Sequence, residues 1–312
     1  MLVFVTGASG WIGSATVVEL LKAGHEVLGL ARSDASAAAI AALGAKVQRG
    51  GLDDLDSLRA GAGASDGVVH LGYSHDFSRM AEAAEMDRQA LEAITATLVG
   101  TGRPLVFASG VLGLAAGRVV TEQDAADPSL HPRVAASLAT LALAERGVRT
   151  SAVRFAPTVH GAGDHGFAAR LVAIARDKGV SGYIGDGDNR WPAVHRLDAG
   201  RLVALAVDGA PAGSVLHAVG EEGIPTRDIA AAIGSGLDLP VVSVPAEQAG
   251  DHFGWLGRFF AVDCRASNEL TRTLMGWEPT HLGLIADLNE GHYVKSQPAQ
   301  NFRQNRSARA IS

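Results

Sequence analysis

The chain of 312 residues has a single cysteine, Cys264, which excludes an internal disulfide. That usage suits a reduced, cytoplasmic setting. Positive charge is not in excess: 27 Lys and Arg stand against 33 Asp and Glu. The net charge of −6 argues against nucleic acid or an anionic membrane as the main partner. No apolar run reaches the ~20 residues that a spanning helix needs. The opening MLVFVTGASG has no basic leader and no cleavage site, and reads as a buried strand, not a signal peptide. No repeat of fixed period is present. His160, Asp164 and His165 follow no standard zinc spacing, so no metal is expected. Aromatic residues make up 5%, and only three are tyrosines: Tyr73, Tyr183 and Tyr293.

What is present is hydrophobic patterning, with 47% hydrophobic residues. Apolar runs of strand length alternate with Ala/Leu-rich helical segments. Strands are expected at 2–8, 26–32, 46–50, 67–72, 104–110 and 150–158. Helices are expected from Trp11 to Ala23, over 35–44, from 54, over roughly 78–100, and in HPRVAASLATLALAERG (131–147). Continuous Val/Leu/Phe runs suit strands buried on both faces of a parallel sheet. The alternation predicts an α/β fold with a doubly wound parallel sheet. Residues 1–160 form its dinucleotide-binding domain, with 181–220 returning to it. Residues 161–295 build a smaller α/β substrate lobe, with helices at 197–208, 226–236, 246–261 and 265–276. Strands are expected there in SVLHAVG and PVVSVP. Residues 296–312 are a polar, basic tail. The run HFGWLGRFF (252–260) has roughly helical spacing and reads as lobe packing or a subunit contact in a homodimer.

TGASGWIG (6–13) lies between the first strand and the first helix. Gly7 permits a tight turn, Gly10 lets the backbone approach a diphosphate, and Gly13 lets helix and strand pack closely. The helix start adds free N–H groups and a positive dipole end, and Ser9 adds a hydroxyl. Trp11 and Ile12 begin that helix. The second strand ends GLARSD, placing Arg32 and Ser33 where an NAD site usually has a carboxylate. A guanidinium suits a ribose 2′-phosphate, which predicts NADP(H). The alternative is a solvated Arg32 with Asp34 taking the ribose.

Together these motifs, with VVHLG ending strand 4, FASG ending strand 5 and RFAPTVHG after strand 6, resemble the extended or atypical short-chain dehydrogenase/reductase family. That branch includes nucleotide-sugar epimerases, 3β-hydroxysteroid dehydrogenases and dihydroflavonol reductases. WPAVHRLDAGRL and LMGWEPTHLGL are similar to two further family segments, and the resemblance covers about residues 1–290. It implies a Rossmann domain and a nicotinamide cofactor touched by Leu71 and Gly72 after strand 4 and by Pro157 and Val159 after strand 6. Gly51 stands where the family commonly has an aspartate for adenine, leaving backbone near Leu52 and Asp53. The resemblance also implies a catalytic serine with Tyr-x-x-x-Lys. Counting back from Arg154 puts the tyrosine position at Arg133 and the lysine position at Ser137. Ser109 remains; the usual second serine is Gly110.

Residues i and i+4 share a helix face, so Arg133 and Ser137 could still point where Tyr and Lys would. Arginine cannot serve as a general acid, but it can stabilise an alkoxide or grip an anion. A proton donor must come from the carboxyl ends of the strands. The expectation is that Ser109 binds the substrate oxygen, His160 or His75 supplies the proton, and Arg133 orients the substrate. His195 and His131 are weaker candidates, and Tyr73 is the one tyrosine at a strand end. The expected activity is NADPH-dependent reduction of a small or medium carbonyl compound, with imine reduction as a variant. An epimerase or dehydratase, and a non-catalytic NADP(H) sensor, are the alternatives.

Overall fold

The computed structural model describes residues 1–74, 79–115, 117–129 and 132–295. The tail expected at 296–312 lies outside them. The strands are β1 (Leu2–Thr6), β2 (Glu26–Ala31), β3 (Lys46–Arg49), β4 (Gly67–His70), β5 (Pro104–Gly110), β6 (Val119–Val120), β7 (Arg149–Phe155), β8 (Thr158–His160), β9 (Ser181–Ile184), β10 (Arg190–His195), β11 (Ser214–Ala218), β12 (Glu221–Pro225), β13 (Val241–Val244) and β14 (Arg265–Ala266). The helices are α1 (Trp11–Lys22), α2 (Asp34–Ala42), α3 (Leu55–Gly63), α4 (Met80–Thr95), α5 (Pro132–Leu141), α6 (Phe167–Lys178), α7 (Arg196–Gly209), α8 (Thr226–Leu237), α9 (Ala249–Phe253), α10 (Gly257–Phe260), α11 (Glu269–Met275) and α12 (Leu284–Asn289).

Seven strands form one parallel sheet in the order β11-β7-β5-β4-β1-β2-β3. The order reverses between β1 and β4, which is where such sheets open a crevice for ligand. The runs LVFVT and GVVH have almost every residue buried because helices cover both faces. Phe4, Leu58, Ile94, Leu105 and Phe107 pack on one face; Val5, Val69, Val153 and Leu202 pack on the other. Burying one such side chain contributes roughly 1.5–3 kcal/mol. α7 lies against α1, where Gly200 permits the approach: a Cβ there would sit 2.8 Å from the Ala15 carbonyl carbon. Local signals agree with the fold. Ser33 caps α2 through a reciprocal bond pair with Ser36, and the Asp54 carboxylate accepts from the Ser57 N–H at the start of α3.

A second core lies around Trp191, Phe253, Leu256 and Phe260, beside the three-stranded sheet β12-β10-β8. Trp191 meets Phe260 edge-on at 5.2 Å between ring centroids, so the aromatic run serves lobe packing. Three expected helices are altered. The one at 246–261 is broken into short turns, because Gly254 has φ +61, outside the right-handed helical region. The one at 265–276 opens instead as strand β14, which pairs with β6. The long helix ends at Thr95, where the chain turns toward β5. No helix among the described residues is long and apolar enough to cross a membrane.

Candidate active site

The glycine loop is a cradle that side chains would fill. Gly7 has φ +69, and a Cβ there would lie 2.7 Å from the Gly72 nitrogen. A Cβ on Gly13 would lie 1.9 Å from the Gly7 oxygen, well inside contact distance. Gly10 is the N-cap of α1, and no side chain caps that helix. Its first N–H groups therefore face outward beside the exposed Ser9, as a diphosphate site requires. Trp11 donates its indole N–H to the Val159 carbonyl at 2.8 Å, joining β8 to the phosphate turn. The Arg196 guanidinium covers that indole at 4.3 Å. Gly72 sits against Leu52, and its N–H donates to the Thr6 hydroxyl at 3.1 Å. Gly7, Gly10, Trp11, Gly13, Leu52, Gly72 and Val159 are thus gathered at one end of the sheet.

At the end of β2, Ser33 is occupied in capping α2, and Arg32 is exposed. Asp34 does not reach toward a ribose: it is paired with Arg49, which also donates to the Ser33 carbonyl at 2.8 Å. Arg49, at the end of β3, places a second guanidinium beside Arg32 and Ser33. No sequence signal marks Arg49, because neighbouring strand ends meet only after register is set: β2 and β3 pair Ala31 with Arg49.

Arg133 turns toward α4 and the end of β5. Its Nε donates to Asp87 Oδ2 at 3.2 Å, and its Nη2 donates to the Ala108 carbonyl at 3.2 Å. Its guanidinium carbon stands 3.9 Å from the centre of the Tyr73 ring. Asp87 Oδ1 is 3.1 Å from His70 Nε2, and His70 Nδ1 is 2.9 Å from the Thr6 hydroxyl. A buried polar chain therefore runs Thr6–His70–Asp87–Arg133 and ends under Tyr73. Burial raises the Asp87 carboxyl, but His70 and Arg133 together hold it below its ordinary value. Burial raises the Tyr73 phenol, partly opposed by Arg133.

His70 and Asp87 were missed in the sequence, yet a signal existed. Asp87 falls on the stripe Ala83, Ala84, Ala90, Leu91 and Ile94, the buried face of α4. A carboxylate on such a stripe needs a partner. Asp87→Ala leaves Arg133 and His70 without their acceptor, and is expected to cost about 3 kcal/mol in denaturant unfolding. The Asp87 contribution is complete above the ordinary carboxylate pKa of 3.8 and is lost as pH falls below it, so the wild-type–variant gap should narrow in acid.

His160 corrects the expectation of a proton donor. It is fully buried, and its Nδ1 lies 2.9 Å from Asp287 Oδ2. The β8–β10 pairing and α12 enclose it, so it has no open face toward a crevice. His75 and His131 lie outside the described residues. Ser109, at the end of β5, lines a cavity of about 330 Å³ together with Ser137 and Arg154. Ser137 therefore faces this cavity while Arg133 turns to α4. His195 stacks on His281 at 4.7 Å with planes 9° apart, and burial lowers it to about 4. These two histidines and Asp198 are close enough to suggest a cation site. Near-parallel rings do not aim lone pairs at one point, and Asp198 already accepts from Thr280, His281 and Arg201.

A family model described as the NAD dependent epimerase/dehydratase family matches residues 3–217. The chain belongs to that family. A protein of Schizosaccharomyces pombe, described as uncharacterized, is 48% identical, over 94% of this chain and 100% of its own length. The 2-alkyl-3-oxoalkanoate reductase of Stenotrophomonas maltophilia is 27% identical, over 96% of this chain and 93% of its own. A solved dTDP-glucose 4,6-dehydratase of Streptomyces venezuelae, holding NAD, shares the fold with a TM-score of 0.73 and 21% identity, covering 94% of this chain and 96% of its own. The glycine cradle, the uncapped start of α1 and the reversal at β1/β4 fit the family's nicotinamide cofactor.

Proposed function

We propose that this protein is an NADPH-dependent reductase of a small or medium carbonyl compound, with Tyr73 as its proton donor. The observation that carries the reading is the Tyr73 ring over the Arg133 guanidinium at 3.9 Å. The usual phenol and cation come from one helix; here the phenol comes from the end of β4 and the cation from α5. The roles remain those of an acid and a nearby positive charge. Burial keeps the phenol protonated at neutral pH, the form that a donor to a developing alkoxide needs. Arg133 stabilises the phenolate left behind, and Asp87 with the Ala108 carbonyl fixes its position. Ser109 donates a hydrogen bond to the substrate oxygen. Gly7, Gly10 and Gly13 admit the diphosphate, and the cofactor supplies the hydride when bound. The likeness to an oxoalkanoate reductase over nearly the full chain supports reduction.

Arg32 and Arg49 favour a 2′-phosphate, since the nearest carboxylate, Asp34, is already taken by Arg49. Arg32→Ala and Arg49→Ala are each expected to raise KM for NADPH about tenfold and leave KM for NADH unchanged. Steady-state kinetics with both cofactors checks this; equal use of both by the wild type refutes it. The reaction is tested by following NADPH absorbance with a panel of ketones, aldehydes and imines. Tight NADPH binding without turnover would support the sensor in its place.

A further inference from the structure

The cavity beside Ser109 is apolar on most of its wall, with Leu112, Leu138 and Leu141 among its lining residues. One cationic side chain enters it. Arg154 is 5% exposed and lies on β7 one strand away from Ser109, with which it is paired in register. Among the described residues its one side-chain hydrogen bond is from Nη1 to the Asp124 main-chain carbonyl at 2.9 Å, and no carboxylate pairs with it. A guanidinium has five N–H donors, so most of its capacity is unspent. None of the neighbouring acids is hydrogen-bonded to it among the described residues. The Asp124 carboxylate is held by Arg118 and the Thr121 N–H. Glu122 Oε1 accepts from the Thr271 N–H and hydroxyl at 2.8 and 2.6 Å, and its buried Oε2 has no hydrogen-bond partner among the described residues. Asp127, on the outer wall, is exposed and accepts from the Ser129 N–H. Burial lowers the Arg154 pKa, with Asp124 and Glu122 opposing from a distance. A buried cation with spare donors is costly unless an anion completes it.

We infer that this cavity takes a carboxylate-bearing carbonyl compound, an aliphatic oxo acid, with Arg154 holding the carboxylate and Ser109 the carbonyl oxygen. That the acid is a substrate rests on the reductase reading; that a carboxylate binds here does not. Arg154 and Ser109 line one cavity and are register partners on adjacent strands, so one short molecule reaches both. The leucines cover its alkyl chain. A planar carboxylate matches the guanidinium fork, whereas an ester or amide lacks the charge.

The test uses the full chain loaded with NADPH and isothermal titration with hexanoate, hexanamide and methyl hexanoate. Hexanoate is expected to bind at least about tenfold tighter than either neutral compound. Arg154→Gln should erase that preference while NADPH affinity stays as in the wild type. Arg154→Lys should keep part of it, and Ser137→Glu, which adds a negative charge to the cavity wall, should also remove it. The two latter variants decide the matter if Arg154→Gln does not fold. Equal binding of hexanoate and hexanamide overturns the inference, as does undiminished hexanoate binding by the folded variants. In turnover, a 3-oxo acid should show a KM at least about tenfold below its methyl ester. Arg154-dependent hexanoate binding with no reduction of any carbonyl would sink the reductase reading and leave the carboxylate site. Reduction of ketones with no preference for the acid would do the reverse.

Discussion

Tyr73→Phe is expected to lower kcat for the best carbonyl substrate by about 10²–10⁴-fold, the range for removing a positioned acid. The variant keeps the ring that covers Arg133, so the stacking contact and the Arg133–Asp87 pair persist. NADPH affinity and melting temperature should therefore hold near the wild-type values. A KM change without a kcat change would indicate that Tyr73 only lines the site. The pH profile adds a second reading. Because burial raises the phenol above its ordinary value of 10.0, the alkaline limb of the kcat profile should begin above that pH. It should vanish in Tyr73→Phe. Ser109→Ala, tested beside it, should lose less, because a hydrogen-bond donor to the oxygen is replaceable by water. A full-rate Tyr73→Phe would return the search for the acid to His75.

Gly13→Val should abolish binding of both nicotinamide cofactors in calorimetry, a rise in Kd of more than about 100-fold. The reason is steric. The first carbon alone would stand 1.9 Å from the Gly7 oxygen, and that atom is backbone. The phosphate turn must open, and the Gly10 N–H bond to the Gly7 oxygen at 2.8 Å goes with it. Overpacking of this kind costs about 1–3 kcal/mol, so the protein should still fold at room temperature. Gly63→Ala is the control. Nothing lies within 4 Å of a Cβ there, so binding should be unchanged and stability slightly raised. Unchanged cofactor affinity in Gly13→Val would remove the phosphate loop from the picture altogether.

Periodicity and glycine spacing made the fold legible. A run such as LVFVT with every second residue as apolar as the first has to be covered on both sides, and the alternating helices supply the cover. TGASGWIG marks the crossover because only glycine tolerates the contacts at positions 7 and 13. The gap left by the missing tyrosine and lysine could also be located by counting along the chain. What replaced them could not. Arg133 was expected to face the substrate with Ser137, but the two part: Arg133 turns to Asp87, and Ser137 faces the cavity with Arg154. His160 looked like an accessible imidazole in a loop, until β10 and α12 closed over it.

By itself the sequence determined the parallel sheet, the dinucleotide turn and the absence of the usual acid–base pair. These are written in patterns of residues a few positions apart, where chain geometry allows few choices. Only the tertiary structure decided which groups meet. Thr6, His70, Asp87, Arg133 and Tyr73 come from four separate segments, and Arg154 meets Ser109 only through the β5–β7 register. A charged group buried far from its partner in sequence signals only that some partner exists; which one depends on how the strands and helices pack.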